Sequence, residues 1–377
     1  MIRGNAIVRR RYRNEAGITL FAGARSLSTD FFGVSNWSWP WDAGRINPPA
    51  GTYGLARYCN VSGHANDNLA WKRVEASNGV FTWTDLDAWV NAHYANGTAL
   101  LLEVGRAPSW ATASSGVSGK NAEGDNVAPT NMADFVDWLN SVGARYAGKI
   151  RYWFVRNEPN FGGSSAYEWA DSADKYAEMT RLANQVLKSI DANNRILGME
   201  MANIKSRLSM QASAFEASAA GYDAGFGAGA GTKLRDWIDI VSVHTYVDPA
   251  IDTQGVHVAS ELMAMYPAFK ESLAAAGVAA KPWWVSEIMT FSGSPLDMLV
   301  MARQFLYAAA YGAERCIHFG WGGSTAKWNL NDAEGVTYRA WWSAFVAAMT
   351  GAPIAKVEQM GDWTVRVTRQ DGQVYVY

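Results

Sequence analysis

Two cysteines, Cys59 and Cys316, in 377 residues exclude a disulfide-stapled scaffold. Both fall in strand-like runs, where a buried thiol is the plain reading. No apolar run approaches the ~20 residues needed to cross a bilayer as a helix, so no membrane partner is expected. Residues 1–17 carry Arg3, Arg9, Arg10, Arg11 and Arg13 with no apolar stretch behind them, which is not the pattern of a secretory signal. The default location is then the cytoplasm, or a virion if the source is viral. Charge of one sign is also missing: 33 Lys and Arg oppose 35 Asp and Glu, a net −2. That balance gives no field to gather nucleic acid. Histidine numbers only five, and no His, Cys or Asp cluster has metal-ligand spacing, so no metal is expected. No serine elbow or dinucleotide fingerprint follows a strand. The glycine-rich residues 221–231 lack the Lys-Ser/Thr of a phosphate cradle and read as a mobile loop. No cofactor is expected.

What is present in excess is aromatic: 18 Trp and 16 Tyr. Such side chains fill cores, and they also offer the flat faces on which sugar rings stack. An apolar share of 49 % with 18 % charge describes a globular chain. Strand-like runs at 30–34, 55–60, 99–104, 150–155, 195–199, 238–244, 282–287 and 315–319 alternate with helical patterns. Most successive pairs lie roughly 40 to 50 residues apart, the length of a strand, a helix and two loops. Eight such runs predict an α/β fold, a closed (β/α)8 barrel over residues 29–350. Tyr176, Met179, Ala183, Val186, Leu187 and Ile190 recur at helical spacing. A second helix follows Thr84, an N-cap candidate, and Asn96-Gly97 closes it; Asn131 opens a third, and residues 338–349 supply the last. The first strand lacks a helix, because residues 47–51 read as loop. Outside the barrel, 354–360, 364–368 and 374–377 alternate like strands around an Asp371-Gly372 hairpin signal. Residues 6–12 and 18–21 pair similarly at the other end. A small β appendage is expected from one or both termini, residues 1–28 and 351–377.

In a parallel barrel, chemistry belongs at the C-terminal ends of the strands. Two apolar strands end there in glutamate: the fourth at Asn157-Glu158-Pro159 and the seventh at Glu287. Folding alone does not call for this, since an unpaired buried carboxylate is costly. Cleavage of a glycosidic bond needs two such groups, one to protonate the leaving oxygen and one to attack the anomeric carbon. Direct attack calls for a separation of about 5–5.5 Å. In that scheme Glu158 must hold a proton, so its pKa is expected to be raised by burial and by the charge of Glu287. Asn157 is placed to bond a sugar hydroxyl, Tyr246 or Arg57 to hold Glu287 ionised, and Trp321 to floor the sugar site.

Asn157-Glu158-Pro159, Glu287, the sixth-strand His244-Thr245-Tyr246 and Trp321 together resemble the clan A glycoside hydrolases. The stretch Trp71 to Glu75, Gly79 to Trp83, Leu86-Asp87 and Ala107 to Trp110 is most similar to family 39 of that clan. The resemblance spans roughly residues 30 to 350, the length of the barrel. It implies retention of anomeric configuration, with Glu158 as acid/base and Glu287 as nucleophile.

Several residues carry two readings. Glu158 and Glu287 could instead be structural ion pairs with Arg57, Arg106 or Arg156. His244 is a sugar ligand or a satisfied core histidine. Trp37, Trp39 and Trp41 form a stacking platform or pack a loop, and Trp110 and Trp328 divide the same way. Arg106 and Arg156 bind an acidic sugar or position the protein's own carboxylates; Glu103 reads as a salt-bridged residue. A row of aromatics near the cleavage point favours endo-cleavage of a poly- or oligosaccharide partner. The alternative class is a non-catalytic carbohydrate-binding or structural barrel, against which the glutamate pair argues.

Overall fold

The computed structural model describes residues 17–35, 51–59, 68–113, 120–159, 168–201, 234–245, 256–275, 277–288, 297–319, 335–360 and 364–377. Eight parallel strands close into a barrel: β2 (Phe32–Ser35), β3 (Leu55–Tyr58), β4 (Ala99–Glu103), β5 (Tyr152–Phe154), β6 (Arg195–Met201), β7 (Ile240–His244), β8 (Trp283–Ile288) and β9 (Arg315–Phe319). β9 returns to pair with β2, so the barrel has no free edge. The described helices are α1 (Trp71–Val74), α2 (Thr84–Ala95), α3 (Met132–Arg145), α4 (Ala173–Ile190), α5 (Leu234–Trp237), α6 (Val256–Ala275), α7 (Asp297–Tyr311) and α8 (Gly335–Thr350). None is long and apolar enough to cross a membrane. This is the (β/α)8 architecture that the strand spacing predicts.

The alternation of side chains along the strands sorts two cores. Leu55, Leu101, Phe154, Leu197, Ile240, Trp284 and Ile317 fill the barrel interior. Ala56, Tyr58, Leu100, Leu102, Trp153, Val241, Val243 and Val285 face outward, under the helices. Because both faces are covered, β8 is buried along its whole length. Much of the tryptophan excess is spent in the outer layer. Trp71 stacks on Trp138 at 6.0 Å, Trp138 on Trp83 at 5.8 Å, and Trp83 on Phe81 at 5.1 Å.

The helix boundaries follow local chemistry. Asn131 caps α3, its side chain accepting from the Ala133 N–H at 3.1 Å. Thr84 is the first residue of α2 rather than its cap, which is Trp83 without a side-chain bond. Both termini build the appendage: β1 (Ile18–Arg25), β10 (Ile354–Met360), β11 (Thr364–Arg369) and β12 (Val374–Val376) form one antiparallel sheet in that order. Gly372, at φ 82°, makes the hairpin turn before β12. Residues 6–12, 47–50 and 221–231 lie outside the described residues.

Two strands depart from regular pairing. On β6, Gly198 and Met201 pair with Val241 and Val243 of β7, so β6 spends three steps where β7 spends two. On β8, Val285 and Glu287 pair with Val243 and His244 of β7, and Val285 and Ile288 pair with Cys316 and His318 of β9. One extra residue therefore bulges from each strand near its C-terminal end.

Candidate active site

Five strands bring ionisable groups to one end of the barrel. On β3, Leu55 and Arg57 share the interior face, and Arg57 is fully buried. Its Nη1 donates to Glu287 Oε2 at 2.8 Å, and its Nη2 donates to Asn157 Oδ1 at 2.7 Å and to Glu200 Oε2 at 2.6 Å. The guanidinium also lies 5.0 Å from the Phe154 ring centroid and touches Cys59 Sγ. His244, at the end of β7, faces Glu158 Oε1 through Nδ1 at 2.7 Å and Glu200 Oε2 through Nε2 at 3.2 Å. Glu287 Oε2 lies 3.8 Å from the same Nδ1. Glu158 follows β5 in the left-handed region at φ 42°, fixed there by its N–H donating to the Glu200 carbonyl at 2.9 Å. One oxygen of Glu158, one nitrogen of His244 and one oxygen of Glu287 lie within 4.8 Å of one another.

The electrostatics follow from burial and from this crowding. Burial disfavours the charge of His244, yet Glu287, Glu158 and Glu200 outweigh it and lift the imidazole to about 10. Both ring nitrogens therefore act as donors at neutral pH. Burial raises Glu200, but Arg57 and His244 more than reverse it, to about 2. Burial raises Glu287 to about 7, assisted by Glu158 and Glu200 and opposed by His244 and Arg57. Glu287 is only 4 % exposed, whereas the Glu158 side chain is 16 % exposed and bonds the imidazolium directly. With every group ionised, Arg57 and His244 supply two positive charges against three negative ones from Glu158, Glu200 and Glu287.

The three converging donor atoms also have the makings of a cation site, which sequence spacing does not reveal. Two facts of the cluster oppose it. The Arg57 guanidinium already occupies Glu287 Oε2 at 2.8 Å, and His244 presents a protonated nitrogen to the carboxylates. A metal would have to displace both positive charges.

Arg106 and Trp110 do not join this cluster. Arg106, 1 % exposed, donates to Glu103 Oε2 at 3.1 Å, Asp125 Oδ2 at 3.3 Å and Glu168 Oε2 at 2.5 Å. Arg156 bonds the Glu168 carbonyl and pairs with Glu103 and Glu168. Lys72 closes the network on Glu123 and Asp125. Of the two readings of Arg106, these bonds support the positioning of the protein's own carboxylates, three of which it pairs with. Trp110 is likewise drawn inward, its Nε1 donating to the Glu75 carbonyl at 2.8 Å and its ring set edge-on to Trp71 at 6.4 Å. The two networks meet where Glu103 Oε1 accepts from the Asn157 N–H at 3.1 Å. Tyr246, Trp321, Trp37, Trp39, Trp41 and Trp328 lie outside the described residues. Cys59 and Cys316 are both buried and unbridged.

Glu200 is the residue that sequence reasoning missed. Its strand was ended at residue 199, one position short, although an apolar run ending in glutamate is the same signal that marks Glu287. Glu168 and Asp125 were missed for a different reason: each sits in loop sequence with no periodicity to flag it.

The chain is similar in fold to solved structures of glycoside hydrolases. A family 39 enzyme from Xanthomonas axonopodis pv. citri matches with a TM-score of 0.61 at 16 % identity, covering 98 % of this chain and 78 % of that one. A family 39 β-xylosidase from Caulobacter crescentus gives 0.59 at 16 %, over 94 % and 78 %. The catalytic domain of a family 30 xylanase C from Talaromyces cellulolyticus gives 0.54 at 13 %, over 94 % and 84 %. At these identities the likeness shows a shared fold. No protein-family model matches the sequence, and no curated protein does either.

Proposed function

We propose that the chain is a retaining glycoside hydrolase in which Glu287 is the nucleophile and Glu158 the general acid/base. The observation that carries this reading is the approach of the two carboxylates, whose oxygens lie within 4.8 Å at the C-terminal end of the barrel. That spacing suits direct attack by a carboxylate, whereas an inverting pair stands about 6.5–9.5 Å apart to admit a water. The reaction then runs in two displacements. Glu287 attacks the anomeric carbon while Glu158 gives its proton to the departing glycosidic oxygen, leaving a glycosyl ester on Glu287. Water, deprotonated by Glu158, attacks the same carbon and frees Glu287. Arg57, bonded to Glu287 Oε2, opposes burial and favours the ionised nucleophile. Asn157, tied to Arg57, stands beside Glu158 for a sugar hydroxyl.

The family 39 and family 30 structures of like fold, one a β-xylosidase and one a xylanase, support glycosides of xylose as the first substrates to try. Endo-cleavage of a polysaccharide is the finer proposal, resting on Trp37, Trp39, Trp41, Trp321 and Trp328 in the sequence; Trp110 no longer supports it. Glu287→Ala should abolish turnover and regain it with azide, giving a glycosyl azide of inverted configuration. Glu158→Ala should keep glycosylation of dinitrophenyl glycosides but lose phenyl glycosides. Identical behaviour of the two variants on both substrates would contradict the roles, and an inverted wild-type product would contradict retention.

A further inference from the structure

The reaction above uses two carboxylates, and the barrel holds a third beside them. Glu200 is fully buried, in the left-handed region at φ 46° on the β6 bulge. Its N–H donates to Ser242 Oγ at 3.1 Å and its carbonyl accepts from Glu158. Oε2 is shared by Arg57 and His244, and the Ser242 side chain adds a hydrogen bond to the carboxylate. A fully desolvated carboxylate on a strained backbone is unfavourable for folding, so its persistence calls for a use.

Counting charges supplies one. Without Glu200, the positive Arg57 and His244 would balance an ionised Glu158 and an ionised Glu287, and neither carboxyl would need a proton. With Glu200 present, the buried cluster carries one negative charge too many. The excess is relieved most cheaply by keeping one proton on the Glu158–Glu287 pair. Resting on the glycosidase reading, we propose that Glu200 is a positioning residue for the acid step: its buried negative charge, held between Arg57 and His244, obliges the catalytic pair to carry the proton that departure of the leaving group consumes. That proton passes from Glu158 to the glycosidic oxygen as the carbon–oxygen bond breaks and the Glu287 ester forms. The attacking water returns a proton to Glu158, and the count is restored.

Among the described residues, the charged groups facing His244 include Arg57 from β3, Glu158 after β5, Glu200 from β6 and Glu287 from β8. Cys59 lies against Arg57, and Tyr176 of α4 stands in the field of Glu200. Glu200 is held at about 2 against the effect of burial, so its charge is fixed over any working pH. It is also among the groups that raise Glu287 and His244, so removing it must lower both.

The test is Glu200→Gln, with Glu200→Asp as the charge-conserving variant. Kinetics use paired phenyl and 2,4-dinitrophenyl glycosides of xylose and glucose. For the phenyl glycosides, the alkaline limb of kcat/KM should move to lower pH by about one unit or more, with at least a roughly tenfold loss at pH 7. The dinitrophenyl glycosides, which need no acid, should change less than about threefold. Glu200→Asp should recover most of the difference. In parallel, NMR of histidine-labelled protein follows His244, assigned by loss of its signal in His244→Gln. The wild-type ring should remain imidazolium through pH 8, and its midpoint should fall by about one unit or more in Glu200→Gln. Equal losses on both leaving groups, or an unmoved limb and an unmoved His244, would overturn the proposal. Should the wild-type protein cleave no glycoside at all, the glycosidase reading falls, while the NMR arm still decides the charge role of Glu200. Should Glu200→Gln not fold, the wild-type ring decides: a neutral His244 at pH 7 overturns the proposal, and an imidazolium supports it.

Discussion

Replacing Arg57 with methionine isolates the energetics of the buried cluster. The change keeps a long unbranched apolar side chain but removes the guanidinium that bonds both Glu200 and Glu287, which are 0 % and 4 % exposed. It also strips Asn157 Oδ1 of its donor. Breaking a buried pair by deleting one partner costs about 3–5 kcal/mol, because the surviving charge is uncompensated. At about 2 °C per kcal/mol for a large domain, Tm should fall by roughly 6–10 °C. The double variant Arg57→Met/Glu200→Gln removes the most deeply buried carboxylate charge along with its guanidinium partner. It should regain about 2 kcal/mol over the single variant, a coupling of the size expected for residues in one network. Lowering the pH below about 7 should also narrow the deficit of the single variant, since Glu287 then takes up a proton. Urea unfolding followed by tryptophan fluorescence measures all four corners of the cycle. A double variant no more stable than the single one would refute the uncompensated-charge account, leaving lost packing as the cause.

Arg106→Met should lower stability by a similar ~3–5 kcal/mol, again by orphaning buried carboxylates. The ratio of kcat/KM on uronide and neutral aryl glycosides should stay unchanged, whereas a selective loss on uronides would restore sugar recognition to Arg106. Gly105→Ala should be poorly tolerated, because a Cβ there would lie 2.4 Å from the Val155 carbonyl oxygen of the neighbouring segment. Overpacking of this kind costs about 1–3 kcal/mol, readable in the urea midpoint. Stability should fall as pH rises from about 6.5 toward 10, because His244 is raised to about 10 in the fold and releases its proton near 6.5 when unfolded. Its contribution is complete below the unfolded value and gone above the folded one. His244→Gln should flatten that slope, and an identical slope in the variant would sink the assignment.

The barrel was legible because its signals are local and repeated. An apolar run every few tens of residues needs no knowledge of partners, and the run at 315–319 matches β9 to the residue. The pair of strand-end glutamates was legible for a related reason. A glutamate closing an apolar strand conflicts with folding on its own terms, and the barrel's geometry says where that end must lie. Arg106 shows the limit. Its position beside a strand end was read correctly, but whether it faces a substrate or the protein depends on Asp125 and Glu168, 19 and 62 residues further along the chain. No periodicity encodes that meeting.

The bulges explain why strict alternation misplaces the chemistry. On β8, Trp284 fills the barrel interior and Val285 faces out, so a regular strand would turn Ser286 in and Glu287 out, under the helices. The extra residue breaks this count. Ser286 turns its hydroxyl to the Val243 carbonyl, Glu287 faces inward opposite His244, and Ile288 resumes the outward face. On β6 the same device acts between Gly198 and Met201, where Leu197 points inward, Met201 outward, and Glu200 is delivered to Arg57. Each irregularity gives up ladder pairing, and the β6 bulge adds a non-glycine residue at positive φ. Two losses of this kind, each beside a carboxylate that ends in contact with Arg57, are the mark of strain kept for a site. A sequence read at period two finds both strands and turns both glutamates the wrong way.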